Sequence, residues 1–146
     1  MRNILFVCTG NTCRSPMAEA LYNALGKGGA SSAGTAAAAG MPLSRGAAAV
    51  LEARGLGLPA HRARRVDAAM LKDASAVYVM ERAHRDELAR RFPESAAKIF
   101  LLREAAGLTP AEVADPVGAG PAEYQACASS IEEALNIISA RSQSHV

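Results

Sequence analysis

The stretch that decides the fold is Asn3-Ile4-Leu5-Phe6-Val7-Cys8-Thr9-Gly10-Asn11-Thr12-Cys13-Arg14-Ser15-Pro16. Residues 3–7 form a short run without polar alternation, which fits a central parallel strand covered on both faces. The run stops at Cys8 and a polar loop follows at once. Ser15-Pro16 reads as a helix start, with proline near the first helical position. Met17, Leu21, Ala24 and Leu25 then recur at helical spacing, and Gly26 supplies a stop. The chain therefore opens strand, polar loop, helix.

Downstream the same alternation continues. Ala30 to Gly34 reads as a short second strand, and Ser44 as the N-cap of a helix ending near Gly55. Leu58 to Val66 is irregular and basic, and Asp67 caps a short helix through Met70 and Leu71. Ala76 to Met80 is a second buried strand, Glu81 to Phe92 is helical and ends before Pro93, and Ile99 to Leu102 is the last strand. Gly118-Ala119-Gly120-Pro121 opens a final helix with Tyr124, Ala128, Ile131, Leu135 and Ile138 on one face, and Ser142 to Val146 is expected to fray. Strands alternating with helices define an α/β fold with a mostly parallel sheet, a single domain over residues 1–146. In such sheets ligands sit beyond the carboxyl ends of the strands, where Cys8 and its loop fall.

Composition narrows the function classes. At 146 residues and 50% hydrophobic content the chain can bury one real core. No apolar run approaches the roughly 18–20 residues of a membrane span, so no membrane partner is expected. Residues 1–8 are too soon interrupted to be a signal peptide. A formal charge of +2 gives no argument for nucleic acid, and three cysteines favour a reducing, cytoplasmic home. Aromatics make up only 4%, with no tryptophan, so the core rests on sparse Leu, Ile, Val, Met and aromatic positions among many alanines.

The loop carries the chemistry. Cys8 and Arg14 form a C-x5-R pattern followed by Ser15, between a strand and a helix start. Backbone N–H groups of Thr9, Gly10, Asn11, Thr12 and Cys13 can converge on an anion there, with the helix dipole behind them. Gly10 and Asn11 are the residues most able to take the positive φ such a nest requires. Arg14 adds a planar fork matched to phosphate oxygens, and these surroundings favour the thiolate of Cys8, to which Ser15 can donate. A nucleotide P-loop is excluded, since no G-x4-G-K-[ST] is present. A buried structural cysteine at a strand end is the plain alternative. A zinc site built on Cys8 and Cys13 lacks a second ligand pair, because His61, His84 and His145 are scattered.

At these residues the sequence resembles the low-molecular-weight protein-tyrosine-phosphatase family. The resemblance runs from Val7 through Glu19 and continues with Ser32-Ala33-Gly34, His61 to Arg64, Val79-Met80 with His84, and Asp115-Pro116. It implies a four-stranded parallel sheet with helices on both faces, no metal and no cofactor, and a phosphorylated protein as partner; a monomer is the default expectation. It also implies Cys8 as nucleophile, Arg14 as phosphate clamp and Asp115 as general acid and then base, with the loop from Thr9 to Ser15 binding phosphate. Asn11 fixes the loop shape in this reading. Family members with a cysteine at the position of Cys13 can form a reversible disulfide with the nucleophile, so Cys13 is the candidate redox partner. His61 and Arg64 are expected to be structural, and His84 and Met80 to be packing residues.

Two competing classes differ in what they require. A thiol-dependent arsenate reductase needs a relay of further cysteines, and Cys127 is the only other one. An inactive phosphate-binding module would not need the nucleophile, arginine and acid together. Within the phosphatases two features bear on substrate. Thr12 stands where tyrosine-specific members usually carry an aliphatic residue, and the protein-arginine-phosphatase subgroup resembles this chain there. The stretches Thr35 to Gly40 and Val117 to Gly120 lack the aromatics that flank a phenol in tyrosine-specific relatives. Both features favour phosphoarginine, with phosphotyrosine as the alternative.

Overall fold

A computed structural model describes residues 3–26 and 28–143. Four strands, β1 (Ile4–Cys8), β2 (Ala30–Gly34), β3 (Ala76–Val79) and β4 (Ile99–Leu101), form one parallel sheet in the order β2-β1-β3-β4. The helices are α1 (Arg14–Ala24), α2 (Arg45–Ala53), α3 (Ala68–Asp73), α4 (Arg82–Arg91), α5 (Leu102–Ala105) and α6 (Pro121–Gln143). The expected alternation is present, and Ser44 and Asp67 accept from Ala47 N–H and Met70 N–H as N-caps. Several boundaries differ from expectation: α1 opens at Arg14 rather than Ser15, β3 closes at Val79 rather than Met80, Leu102 opens α5 rather than closing β4, and α6 runs through Ser142 to Gln143. Pro93–Lys98, for which no element was expected, makes a 3-10 turn. The remainder of the expected frayed end, 144–146, lies outside the described residues, as does His145.

Strand pleating sorts the apolar run onto two faces. Ile4, Phe6 and Cys8 pack with Met17 and Leu21 of α1 and Ile131 and Leu135 of α6, while Leu5 and Val7 pack with Leu71 of α3 and Leu88 of α4. Helices thus cover both faces, which is why the run contains no polar residue. At roughly 25 cal/mol per Å2 of apolar surface, these fully buried positions supply most of the stabilisation, and alanine little of it. Among the described residues no helix is long and apolar enough to cross a membrane.

The strand order positions the site. Going from β1 the chain crosses to β2 on one side and later to β3 on the other, so the order reverses between β1 and β3. A crevice opens at such a reversal beyond the carboxyl ends of the strands. The loop after β1 and the segment Met80-Glu81 after β3 both end there.

Candidate active site

Residues 9–13 wrap the carboxyl end of β1, and α1 begins at Arg14. One residue takes the left-handed conformation, Asn11 at φ 57°; Gly10, also expected there, does not. Asn11 tolerates that conformation because its own side chain is tied down. Its Nδ2 donates to Ser15 Oγ at 2.9 Å and Ser32 Oγ at 3.0 Å, and its Oδ1 accepts from Arg64 N–H at 3.0 Å. His61 Nε2–H donates to the Asn11 carbonyl at 2.7 Å, and Ser32 Oγ donates onward to Glu19 at 2.7 Å. His61 and Arg64 are thus structural supports of the loop, as expected.

Against this frame Cys8 Sγ, buried, lies 3.0 Å from Ser15 Oγ and 3.3 Å from Asn11 N–H. The Asn11 N–H is a donor suited to a thiolate, and the single Ser15 hydroxyl proton can serve either Cys8 or the Ala33 carbonyl at 3.4 Å. Cys13 is turned elsewhere: its Sγ donates to Ser44 Oγ at 3.1 Å and lies 3.5 Å from the Tyr124 hydroxyl. Cys8, Cys13 and Cys127 are all free thiols. Burial pushes the Cys127 thiol up to about 12, which disfavours the thiolate that a relay would need.

Arg14 is only 2% exposed, so its permanent charge needs partners. Nη1 donates to Glu81 Oε2 at 2.5 Å and to the Val113 carbonyl at 2.8 Å, and Nη2 lies 3.6 Å from Asp115 Oδ2. Asp115 is half-exposed and its Oδ1 accepts from Val117 N–H at 3.0 Å, which shapes the loop before α6. Asp115, about a hundred residues from the loop in sequence, thus meets the guanidinium of Arg14, while Cys8 meets Ser15, the residue after Arg14.

Two neighbours escaped the sequence reading. Glu81, the first residue after Met80, reaches Arg14 across the β1–β3 crevice. His84, expected to be a packing residue, is buried but polar in its work. Its Nδ1 accepts from Glu81 N–H at 3.1 Å and its Nε2 meets Thr9 Oγ1 at 2.8 Å. Burial and then the Arg14 charge lower its pKa, consistent with a neutral ring whose Nδ1 is free to accept. The available signal was the spacing Glu81-x-x-His84 at a helix start, which resembles a capping pair. Among the described residues no three His, Cys, Asp or Glu side chains group as a metal site.

A buried cysteine with a backbone N–H and a serine hydroxyl on its sulfur, in a loop that opens a helix and carries a buried arginine fork, defines a thiol-based phosphate-handling enzyme. The chain belongs to the low molecular weight phosphotyrosine protein phosphatase family, whose family model matches residues 3–144. It is 39% identical to a protein-arginine-phosphatase of Geobacillus stearothermophilus over 143 residues, 96% of this chain and 95% of that protein. It is 33% identical to a probable low molecular weight protein-tyrosine-phosphatase, EpsP, of Ralstonia nicotianae, covering 94% of this chain and 89% of that protein. Among solved structures, the YwlE arginine phosphatase from Geobacillus stearothermophilus superposes with a TM-score of 0.94 at 35% identity, covering 99% of this chain and 95% of that one. The protein is a cysteine-based protein phosphatase.

Proposed function

We propose that this phosphatase prefers phosphoarginine in proteins and works through a cysteinyl phosphate on Cys8. The Cys8 thiolate attacks phosphorus in line, forming the S–P bond as the P–N bond to the guanidine breaks. Asp115 gives its proton to the leaving nitrogen, while Arg14 and the N–H groups of Thr9, Gly10, Asn11, Thr12 and Cys13 hold the equatorial oxygens. Asp115, now a carboxylate, takes a proton from water, which attacks phosphorus and breaks the S–P bond. Ser15 stabilises the departing thiolate, which regenerates Cys8 and frees inorganic phosphate. The reading takes residues 1–146 as one phosphatase domain, monomeric and cytoplasmic.

The observation that carries the substrate preference is Thr12 in the loop, with no aromatic residue in the stretches Thr35 to Gly40 and Val117 to Gly120. A hydroxyl can hydrogen-bond a guanidine, whereas an aliphatic side chain would favour a phenol ring. Among the described residues, the large hydrophobic side chains exposed at or next to those two stretches are Met41 and Val117, neither of them aromatic. The identity to a named arginine phosphatase supports the same reading. The test compares kcat/KM for a phosphoarginine and a phosphotyrosine peptide in the wild type and in Thr12→Ile. The wild type should favour phosphoarginine and the variant should shift the ratio toward phosphotyrosine by about tenfold. A wild-type preference for phosphotyrosine overturns the reading.

Cys13 gives the same site a redox response. Peroxide oxidises the Cys8 thiolate to a sulfenic acid, Cys13 displaces water from it to form a disulfide, and a thiol reductant restores both cysteines. Reactivation by a thiol after peroxide treatment, lost in Cys13→Ser, checks this step.

A further inference from the structure

Thr9 is the loop residue next to Cys8, and it is exposed while the cysteine beneath it is buried. Its hydroxyl is held from behind by His84 at 2.8 Å. The tautomer of His84 follows from its two contacts. The Glu81 backbone N–H can only donate, so Nδ1 must accept from it at 3.1 Å. The ring proton then sits on Nε2 and is donated to Thr9 Oγ1. With that lone pair used, the proton and remaining lone pair of Thr9 are turned away from His84. His84 is buried, so the ring is fixed on both sides.

We propose that His84 is a positioning residue that fixes the Thr9 hydroxyl as a second polar contact for substrate, in addition to the one given to Thr12. The proposal rests on the phosphatase reading of the loop and deepens its specificity. Arg14 on α1, Glu81 and Glu87 of the α4 segment and Asp115 before α6 supply the charges that His84 senses. The arrangement works only with the ring neutral, because a proton on Nδ1 would face the Glu81 N–H donor. Protonation of His84 therefore breaks the contact at the helix start, loosens Thr9 and weakens substrate binding, while leaving Cys8 and its donors in place.

Three variants and one spectrum test this. Thr9→Val removes the hydroxyl from an exposed site and keeps the shape; His84→Gln keeps a donor that does not titrate; the double variant combines them. Steady-state kinetics from pH 5 to 8 use a phosphoarginine peptide, a phosphotyrosine peptide and p-nitrophenyl phosphate. Thr9→Val should raise KM for the phosphoarginine peptide about tenfold, the scale of one lost hydrogen bond to a charged group, and change kcat little. His84→Gln should match the wild type at pH 8 and bind better than it at pH 5, and in the Thr9→Val background this difference should vanish. The nitrogen NMR shifts of His84 should show a bare Nδ1 and a protonated Nε2 at pH 7. An Nδ1–H tautomer, a His84→Gln profile parallel to the wild type, or additive effects in the double variant overturns the proposal. Loss of turnover on all three substrates in the wild type would instead overturn the phosphatase reading.

Discussion

Gly34, the last residue of β2, is where the sheet constrains the loop most directly. A Cβ at this position would come within 2.4 Å of the Thr9 carbonyl oxygen and 3.1 Å of the Asn11 nitrogen. A relaxed carbon–oxygen contact needs about 3.3 Å, so the two must separate by about 0.9 Å. Gly34 cannot yield easily, since its N–H donates to the Arg64 carbonyl and its carbonyl accepts from Val66 N–H, both at 2.9 Å. The loop must move instead, and the Thr9 carbonyl is itself held by Ala36 N–H at 3.0 Å. A displacement of about 1 Å in a positioned group costs about a hundredfold in rate. Overpacking of this kind costs about 1–3 kcal/mol of stability, which at about 2–4 °C per kcal/mol lowers Tm by roughly 2–12 °C. Gly34→Ala should therefore lose about a hundredfold in kcat for p-nitrophenyl phosphate while remaining folded by circular dichroism. Gly57→Ala, whose Cβ would meet nothing nearer than Pro59 at 3.9 Å, is the control and should change neither quantity. Wild-type kcat in Gly34→Ala would refute the reasoning that the strand end sets the loop geometry.

Cys8→Ser should abolish turnover and still bind inorganic phosphate by calorimetry, and measurable residual turnover sinks the nucleophile assignment. Asp115→Ala should slow hydrolysis most for poor leaving groups, so an aryl phosphate series with falling acidity of the phenol should show a steeper dependence in the variant; an unchanged slope counts against Asp115 as acid. Glu81→Ala removes the carboxylate from Arg14 Nη1 and should cost about 2 kcal/mol in kcat/KM, roughly thirtyfold, the range for hydrogen bonds to charged groups, with Glu81→Gln losing less. Retention of full activity in Glu81→Ala would show that Val113 alone orients the guanidinium. The lowered pKa of His84 means that the unfolded chain binds its proton first as pH falls. Stability from this group is therefore complete above the unfolded value near 6.5 and declines as pH falls toward the folded value. Urea midpoints at pH 7.5 and 5.5 should drop further in the wild type than in His84→Gln, and equal drops would contradict a buried neutral ring.

The α/β alternation was legible because each buried strand is a short apolar run bounded by loops, and because Ser44 and Asp67 mark helix starts through their own side chains. The loop was legible because its chemistry is local: Cys8, Arg14 and Ser15 lie within one strand-to-helix turn. Glu81 and His84 were not, because their partners Arg14 and Thr9 are separated from them by 67 and 75 residues. Only the reversal of strand order between β1 and β3 brings the two segments together, and no local pattern encodes it. Gly10 shows the opposite limit. Glycine permits a positive φ, but the loop places it at Asn11, whose side-chain amide has three partners to hold it there.

The scarcity of aromatics acquires a location in the fold. Phe6, Tyr22 and Tyr78 are buried core residues, with Phe6 in ring contact with both tyrosines, and Phe100 packs on Tyr78. Phe92 lies under the Arg91 guanidinium at the end of α4. Tyr124 is the one aromatic that approaches the loop, but it does so from behind: its ring lies against Gly46, where a Cβ would come within 2.5 Å, and its hydroxyl faces Cys13. There the ring lines the cavity between α2 and the start of α6, with Gly46 and Gly120, on the Cys13 side of the loop. Missing aromatic stacking removes roughly 0.5–1.5 kcal/mol from phenol binding, and a gained hydrogen bond from Thr12 adds about 1 kcal/mol for a guanidine. Together these amount to roughly 2 kcal/mol, about a thirtyfold preference for phosphoarginine. Restoring an aromatic wall by Val117→Tyr should return only the stacking part, a factor of roughly 2 to 12 in kcat/KM for the phosphotyrosine peptide. An equal gain for both peptides would show that the new ring acts by general burial and that the aromatic-poor rim does not select the substrate.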